Sequence, residues 1–465
     1  MVFSSAFFLC VFLPVVFLLC LLPINIKIKN IILIIASLFF YAYGEPIFVF
    51  IMIISSLINY LFGLMLSGEK GRKAVLVAAV VLNISILGFF KYTNFIVDNI
   101  NAFFHAGISI EKITLPIGIS FFTFQAMSYV IDVYRNPKLS QKNYLSILLY
   151  ISMFPQLVAG PIVRYSDINE QINNRNPKED EIVKGIMRFS KGLFKKMYIA
   201  NVCGTIADNI YGLDINKYAF YVAWLGAIVY ALQIYYDFSA YSDMAIGLGH
   251  MFGFKFKENF AHPYSAVSIK DFWSKWHISL STWFKEYVYI PLGGNRKGKV
   301  KTESNKMIVF LLTGIWHGAN WTFIFWGLIH GVANVLEDTI LPIRKLKNKV
   351  IGNIYTVLVA VVAFVFFRAD SLKEGFGFVK VMFTGFHFDR LSLSVALGNL
   401  SIMNVITIII GIICAYPVFD KIKNKYFADK KMGEYIAMAG SFILLFLCMI
   451  RLSSGSYNPF IYFRF

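Results

Sequence analysis

Three histidines lie where an imidazole could act on a substrate inside a membrane: His277, His317 and His330. A neutral imidazole is the strong base that costs least in apolar surroundings, because it carries no charge until it has taken a proton. Desolvation also favours the neutral form. The chemistry that these residues predict is removal of a proton from a hydroxyl or a similar weak acid. For His317 the structural alternative, a hydrogen bond to a backbone carbonyl between helices, stays open.

His317 lies in the stretch TGIWHGANWTFIFW. It follows the basic loop NRKGKVKTESNK by about twelve residues, so a helix that rises 1.5 Å per residue places it roughly 18 Å from the cytoplasmic end, near the middle of a bilayer. Gly314 and Gly318 predict space for a ligand close to the backbone. Three tryptophans predict an apolar cage around the imidazole: Trp316, Trp321 and Trp326.

His277 lies in DFWSKWHISLSTWFKEYVYIPLGGNRKG, where aromatic and basic residues alternate without a clean apolar span. This pattern indicates short helices that dip into the membrane from the cytoplasmic side and line a cavity. His330 follows His317 by 330 − 317 = 13 residues. On one unbroken helix this spacing leaves about 220° of rotation between the two side chains. They cannot easily share a metal ion, and no HExxH pattern occurs, so no metal is expected.

The composition predicts a polytopic membrane protein. Of the 465 residues, 58% are hydrophobic and 15% are charged, with a mean hydropathy of +0.64. Soluble globular enzymes carry about 25% charged residues, so this class is excluded. The net charge of +18 is expected to reflect cytoplasmic loops and contact with lipid headgroups in the bilayer, not binding to nucleic acid.

Apolar windows predict about eleven transmembrane helices, together with re-entrant and interfacial helices, in an all-α polytopic membrane protein. Basic residues in short loops predict that both termini are extracytoplasmic, and the N-terminal segment is expected to be a retained first span. One domain, 1–465, is expected, with N-terminal spans at 5–163, an interfacial and re-entrant core at 164–300, and a histidine-bearing span with the C-terminal spans at 301–465. The predicted spans are 5–22, 30–43, 46–66, 74–96, 113–134, 145–163, 218–236, 305–326, 350–367, 401–419 and 433–451.

Basic residues on the cytoplasmic side form candidate sites for an anionic donor. The segment RFSKGLFKKMYIAN predicts an interfacial helix whose cations share one side, opposite Phe189, Leu193 and Met197. A solvated charged face is the alternative to a pocket for phosphate groups. The cations of this helix are Arg188, Lys191, Lys195 and Lys196. The candidate donor-binding residues are Lys195, Lys196, Arg296, Lys297 and Lys299.

Long motifs over nearly the whole chain resemble the membrane-bound O-acyltransferase (MBOAT) family, in its branch of bacterial alginate-type polysaccharide O-acetyltransferases. They occur in the family's order and make a chance match very improbable. The motifs are LPIGISFFTFQAMSYVIDVYR, FPQLVAGPIVR, YYDFSAYSDMAIGLG, FWSKWHISLSTWFKEYVYIPLGGNRKG, WHGANWTFIFWGLIHG and FIYFRF.

The resemblance implies an MBOAT-like ring of tilted helices around a central tunnel, in the bacterial cytoplasmic membrane. It implies that His317, in the WHG motif, is catalytic and that His277, in the FW-x-x-WH motif, is the second active-site residue. His330 and Asn320 are implied as supporting groups. One departure is Asn201, where related acetyltransferases carry Asp; an amide can keep a hydrogen bond there but not a charge.

The implied reaction moves an acetyl group from cytoplasmic acetyl-CoA, or another thioester, to hydroxyls of an extracytoplasmic polysaccharide, through a partner acyltransferase. No cofactor is expected to be bound permanently. Tyr462, in the tail SYNPFIYFRF, has two interpretations: an aromatic membrane anchor, or a phenol that accepts the acyl group transiently. Two other functions stay open: D-alanyl transfer from an acyl carrier protein to teichoic acid, and a proton-coupled transporter.

Overall fold

The computed structural model describes residues 1–418, 430–453 and 455. In these residues the secondary structure is helical, without a β-strand, which confirms the predicted all-α class. The chain divides into two compact units, and each is formed by two segments. The first unit contains residues 1–189 and 242–257, and the second contains 190–241 and the chain from 258 onward. The predicted single domain with its internal boundaries stays a prediction.

The first unit is held together by polar and close contacts between apolar helices. Its helices are α1 (Leu13–Leu21), α2 (Ile26–Ala42), α3 (Phe48–Leu66), α4 (Arg72–Phe104), α5 (Ile119–Arg135), α6 (Tyr144–Ser152), α7 (Tyr165–Asn173) and α8 (Glu179–Phe194), of which residues 190–194 belong to the second unit. The buried side chains of Asn59 in α3 and Asn83 in α4 exchange two amide hydrogen bonds, of 3.1 and 2.8 Å. Such bonds hold helices together in an apolar environment.

The second unit carries the three candidate histidines. Its helices are α9 (Asn201–Tyr211), α10 (Phe220–Met251, to Tyr241 in this unit), α11 (Ile269–Lys275), α12 (Ile278–Phe284), α13 (Gly298–His317), α14 (Trp321–Thr339), α15 (Lys349–Arg368), α16 (Leu372–Thr384), α17 (Arg390–Asn399), α18 (Ile402–Ala415) and α19 (Lys430–Ser453). The short helices α11 and α12 correspond to the segment that the sequence predicts as dipping helices. Their position in a membrane stays a prediction.

Four described helices are long and apolar enough to cross a membrane: α3, α4, α15 and residues 432–453 of α19. The pair α17 and α18, bent by 74°, adds a fifth if it forms one span. Apolar helices of sufficient length are thus present where the sequence predicts spans at 46–66, 74–96, 350–367 and 433–451, and the chain is a multi-pass membrane protein. The total of eleven spans and the ring around a tunnel stay predictions.

Two predicted spans are wrong as single helices. In the window 145–163, α6 ends at Ser152, and only one further helical turn, Phe154–Leu157, follows before α7. This stretch contains Pro155, whose missing N–H prevents a continuous helix. In the window 305–326, three residues between α13 and α14 break the helix.

The break between α13 and α14 changes the relation of two candidate histidines. His317 is the last residue of α13, whereas His330 lies in the middle of α14. The rotation of about 220° that one continuous helix would give them therefore does not apply. The side chain of Asn320 starts the new helix, because its Oδ1 accepts a hydrogen bond from the Thr322 N–H at 3.1 Å.

Candidate active site

His317 ends α13 inside a cage of aromatic rings. Its residue surface is 6% exposed. The ring centroids of Trp316, Trp326 and Phe367 lie 4.9, 5.0 and 5.2 Å from that of His317. The predicted cage is present, but Phe367 takes the place assigned to Trp321, which is 48% exposed.

The two glycines near this histidine serve helix packing. A Cβ at Gly318 would lie 2.2 Å from the ring of Phe323, and a Cβ at Gly314 would lie 2.5 Å from the Phe323 carbonyl oxygen. Absence of a side chain therefore lets α13 and α14 approach backbone to backbone. The interpretation of these glycines as ligand space is wrong, because Phe323 already fills the volume beside them.

His277 lies at the corner between α11 and α12. Its φ of 45° is in the left-handed region, which is uncommon for a residue other than glycine. The side chain is fully buried, with its ring centroid 4.6 Å from that of Phe238 and 6.3 Å from that of His317. The structure thus brings together the two histidines that the family motifs identify, although 317 − 277 = 40 residues separate them in sequence.

Asn259 holds this corner from a segment that precedes α11. Its side-chain Oδ1 accepts hydrogen bonds from the N–H of Ser279 at 3.1 Å and from the Ser279 Oγ at 2.9 Å. The same Oδ1 lies 3.3 Å from His277 Nδ1, and the Asn259 carbonyl accepts from the N–H of Ile278 at 2.9 Å. Sequence reasoning missed Asn259, since one amide in ENFAHPY follows no periodicity and matches no metal or catalytic spacing.

Glu337 of α14 anchors the other end of α11. Its Oε1 accepts a hydrogen bond of 2.6 Å from the N–H of Ile269, the first residue of α11. The first N–H groups of a helix have no partner within that helix, and they carry partial positive charge. A carboxylate there therefore stabilises α11 and ties the segment before His277 to the helix that follows His317.

His330 is fully buried among rings. The ring of Phe272 is nearly parallel to the imidazole, at 9° and 5.9 Å, and Trp273 and Trp326 lie 5.3 and 5.2 Å away. Neither ring nitrogen has a hydrogen-bond partner among the described residues. Because Trp326 also contacts the ring of His317, the structure links His330 to the site through packing.

Asn320 supports the site through the backbone. Besides capping α14, its Nδ2 donates a hydrogen bond of 3.0 Å to the carbonyl oxygen of Asp370. The residue therefore fixes the start of α14 directly after His317, and it joins this start to the segment between α15 and α16.

The sequence profile described as MBOAT, membrane-bound O-acyltransferase family, matches residues 119–372. This range includes all three buried histidines. The chain belongs to the MBOAT family. Known relatives agree with this assignment over the full length of the chain.

A probable alginate O-acetylase of Pseudomonas putida is 38% identical over 490 residues, with 100% of each chain covered. A peptidoglycan O-acetyltransferase of Helicobacter pylori is 34% identical and covers 100% of this chain and 98% of its own. A teichoic acid D-alanyltransferase of Bacillus subtilis is 30% identical over 53% of this chain and 65% of its own. This MBOAT chain is an O-acetyltransferase.

Lys196 of this MBOAT chain lies inside the second unit. It belongs to a π-helical turn, Lys195–Ala200, that connects α8 to α9. A π turn holds an extra residue, which rotates the side chains that follow. The Lys196 Nζ lies 2.5 Å from Asp237 Oδ1, and both side chains are buried. The prediction that Lys196 shares an outward face with the exposed Lys191 is therefore wrong.

This buried pair also argues against Lys196 as a phosphate ligand, because its ammonium would first have to leave Asp237. Lys195 is half-buried. The three other donor-binding candidates are exposed, at the turn that leads into α13 and in its first turn. Asn305 holds this turn, since its Nδ2 donates to the Gly294 carbonyl at 3.0 Å. These exposed cations are Arg296, Lys297 and Lys299, and their role in donor binding stays a prediction.

The candidate Tyr462 lies outside the described residues, so its two interpretations stay predictions.

Proposed function

We propose that this O-acetyltransferase moves an acetyl group from cytoplasmic acetyl-CoA to hydroxyls of an extracytoplasmic polysaccharide. The observation that carries the proposal is the pair of buried imidazoles, His277 and His317, with ring centroids 6.3 Å apart. The acceptor class is supported by relatives whose names specify alginate and peptidoglycan. The apolar helices support a reaction that takes place within a membrane.

In this reaction His317 is the general base. Its neutral imidazole takes the proton of the acceptor hydroxyl as that oxygen attacks the thioester carbonyl carbon. The C–S bond then breaks, and the imidazolium returns the proton to the sulfur of CoA. Such acid–base catalysis contributes about 10²- to 10⁴-fold in rate. The rings of Trp316, Trp326 and Phe367 exclude water, which would otherwise hydrolyse the thioester.

The donor enters from the side that carries the basic turn before α13. The phosphates of CoA suit the exposed side chains of Arg296, Lys297 and Lys299. The proposal includes a location in the bacterial cytoplasmic membrane with both termini extracytoplasmic, which the retention of basic loops in the cytoplasm supports. The acetyl group then passes to a partner acyltransferase on the outer side, with Tyr462 either as relay or as membrane anchor.

The test uses the full chain in proteoliposomes with acetyl-CoA labelled in the acetyl group. Label is measured on the protein, on a candidate partner and on polysaccharide. We expect transfer by the wild type, and none above background by His317→Ala at equal amounts of inserted protein. Equal transfer by both proteins would overturn the proposal.

A second arm replaces acetyl-CoA by a D-alanylated acyl carrier protein. This arm addresses the D-alanyl alternative, which the partial match to a teichoic acid D-alanyltransferase keeps open. Transfer from the carrier protein alone would replace the acetyl-CoA proposal.

The transporter alternative is not carried further, since the chain belongs to an acyltransferase family.

A further inference from the structure

We propose that Asn259 is a positioning residue that keeps the proton of neutral His277 on Nδ1, so that His277 Nε2 carries a lone pair. Neutral His277 then serves the reaction as a hydrogen-bond acceptor for another hydroxyl of the acceptor sugar, because the single proton of the attacking hydroxyl goes to His317. It does not act as a donor to the oxyanion that forms from the thioester carbonyl. This role in the reaction rests on the proposed function, whereas the position of the proton does not.

The orientation of the Asn259 amide follows from its partners. A backbone N–H can only donate, and the N–H of Ser279 points to the Asn259 side chain at 3.1 Å. The atom at this place must therefore be the carbonyl oxygen Oδ1, which accepts but cannot donate. The Ser279 hydroxyl, at 2.9 Å from the same oxygen, reinforces this orientation.

The tautomer of His277 follows from the amide. Its Nδ1 lies 3.3 Å from Asn259 Oδ1. Two lone pairs would repel each other at this distance, so the contact is a hydrogen bond only if His277 Nδ1 carries the proton. A neutral imidazole has one N–H, and Nε2 is then unprotonated. Nε2 is buried and has no hydrogen-bond partner among the described residues, so no described donor occupies its lone pair.

The backbone makes this position rigid. The N–H of Ile278 donates to the Asn259 carbonyl at 2.9 Å, and the N–H of Ala261 donates to the Lys275 carbonyl at 2.9 Å. The segment 259–261 thus holds the backbone on both sides of His277, and the side chain of Asn259 contacts the imidazole ring. A residue that fixes a catalytic imidazole through its second nitrogen sets both the tautomer and the ring orientation.

The described contacts that other elements make with the His277 ring come from aromatic side chains. From α13 it faces His317 and Trp316, and from the segment before α11 it faces Phe260. From α10 it faces Phe238, which directly follows Asp237, the partner of Lys196. Among the described ring contacts of His277, the titratable group is therefore the second imidazole, His317; Asp237, next to Phe238 in sequence, is paired with Lys196.

The first measurement is solid-state ¹⁵N NMR of the full chain in lipid, labelled at histidine. The signals of His277 are identified by their loss in His277→Gln. We expect a protonated Nδ1 in the wild type at a pH where the ring is neutral. In Asn259→Leu we expect this signal to diminish and an Nε2–H signal to appear. Wild-type His277 protonated at Nε2, or a tautomer unchanged in Asn259→Leu, overturns the proposal.

A matched control separates tautomer control from general loss of structure. Asn353, in α15, also holds backbone with its amide, which is half-buried: its Nδ2 donates to the carbonyls of Tyr264 and Ala266 at 2.7 and 2.8 Å. Asn353→Leu removes these bonds but no bond to a histidine, so we expect the His277 signals to stay unchanged. If Asn259→Leu does not fold, the wild-type spectrum alone still decides the tautomer.

Kinetics test the role in catalysis. We expect Asn259→Leu to lower kcat by about 10- to 100-fold, with the KM for acetyl-CoA changed less than about threefold. Asn259→Asp keeps an acceptor at this place and should restore most of kcat. Its carboxylate also stabilises the His277 imidazolium, so the activity of this variant should shift to higher pH. Equal kcat in the wild type and Asn259→Leu overturns the acceptor role.

The two measurements fail independently. If the wild type transfers no acetyl group from acetyl-CoA, the proposed function fails, while the NMR result on His277 remains valid. If transfer occurs and His277 is protonated at Nε2, the function stands and the acceptor role of His277 is lost.

Discussion

Two neighbouring regions of the second unit hold a fully buried imidazole in opposite ways. The histidine corner contains Asn259, His277 and His317, and an amide oxygen there contacts one nitrogen of His277. The aromatic box surrounds His330, whose ring nitrogens have no hydrogen-bond partner among the described residues. The box consists of Phe272, Trp273, Phe310 and Trp326.

The difference shows that burial alone does not identify a catalytic imidazole. A buried polar group without a hydrogen bond lowers the stability of the folded state by about 1–3 kcal/mol. In the aromatic box, His330 therefore contributes its flat ring to packing, while its nitrogens reduce stability. In the corner, the hydrogen bond between Asn259 and Nδ1 fixes the tautomer of His277, so that Nε2 is the unprotonated nitrogen that can take part in the reaction. We therefore expect the corner to control activity, and the box to contribute mainly to packing.

The largest effect is expected at His317. His317→Ala should lower kcat by about 10²- to 10⁴-fold, because the general base is lost, while the amount of inserted protein stays equal. The measurement is acetyl transfer per molecule of protein in proteoliposomes. His387→Ala is the control, since this histidine has a half-exposed side chain in the same unit and its loss should leave kcat unchanged. A similar loss of activity in both variants would contradict the special role of the corner.

The second prediction concerns the buried ion pair behind the corner. Lys196→Met leaves the Asp237 carboxylate buried without its cation, and such a change costs about 3–5 kcal/mol of unfolding free energy. Lys196→Met combined with Asp237→Leu removes both charges and should recover most of this loss. The measurement is the unfolding free energy in detergent micelles.

A matched pair on the surface serves as control for this prediction. Lys217 and Asp214 lie 3.3 Å apart with side chains 72% and 52% exposed, and Lys217→Met should change the unfolding free energy by less than about 1 kcal/mol. Because Asp237 precedes Phe238, which contacts His277, Lys196→Met should also lower activity. Stable and fully active Lys196→Met would show that the corner does not depend on this pair.

From the sequence, the residues of the histidine corner were predicted more accurately than the helices that position them. Motif resemblance identified His277 and His317, which lie 6.3 Å apart, although no local periodicity relates residues so distant in sequence. The break before α14 had a readable signal, since Asn320 is a favoured N-cap residue, but the apolar residues on both sides concealed it. A span of continuous apolar character does not show where its hydrogen bonding is interrupted.

Other features depend on contacts that a sequence pattern does not contain. The π turn at Lys195–Ala200 inserts a residue without any marker in composition, so the face of Lys196 was predicted wrongly. Asn259 acts through three donors that the fold brings to one oxygen. The glycines beside His317 indicate that another group lies close to the backbone, but the sequence alone could not show whether this group is a ligand or Phe323.

The third prediction compares corner and box by one substitution. His330→Phe keeps a flat ring in the box and removes two nitrogens without a described hydrogen-bond partner, so stability should be unchanged or higher by about 1 kcal/mol. Its kcat should stay within about threefold of the wild type, since packing around Trp326 is kept. His277→Phe should instead abolish most activity. An equal loss of kcat in the two variants would show that His330 takes part in catalysis.

The smallest effect is expected in the first unit, where a carboxylate is partnered outside the spanning helices. Asp167 accepts hydrogen bonds of 2.9 Å from Arg164 Nε and Nη2, and it lies 2.5 Å from Lys257 Nζ. Burial alone would raise the pKa of Asp167, but the hydrogen bonds and charges of the two cations outweigh burial and hold this pKa below its usual value.

A lowered pKa in the folded state gives stability that is complete above the unfolded pKa of about 3.9 and is lost as pH falls through the folded pKa. We therefore expect Asp167→Asn to lower the unfolding free energy at pH 7 by less than about 1 kcal/mol. The difference between the two proteins should shrink when unfolding is measured near pH 3. A constant difference at both pH values would mean that Asp167 stabilises the first unit through packing and not through its charge.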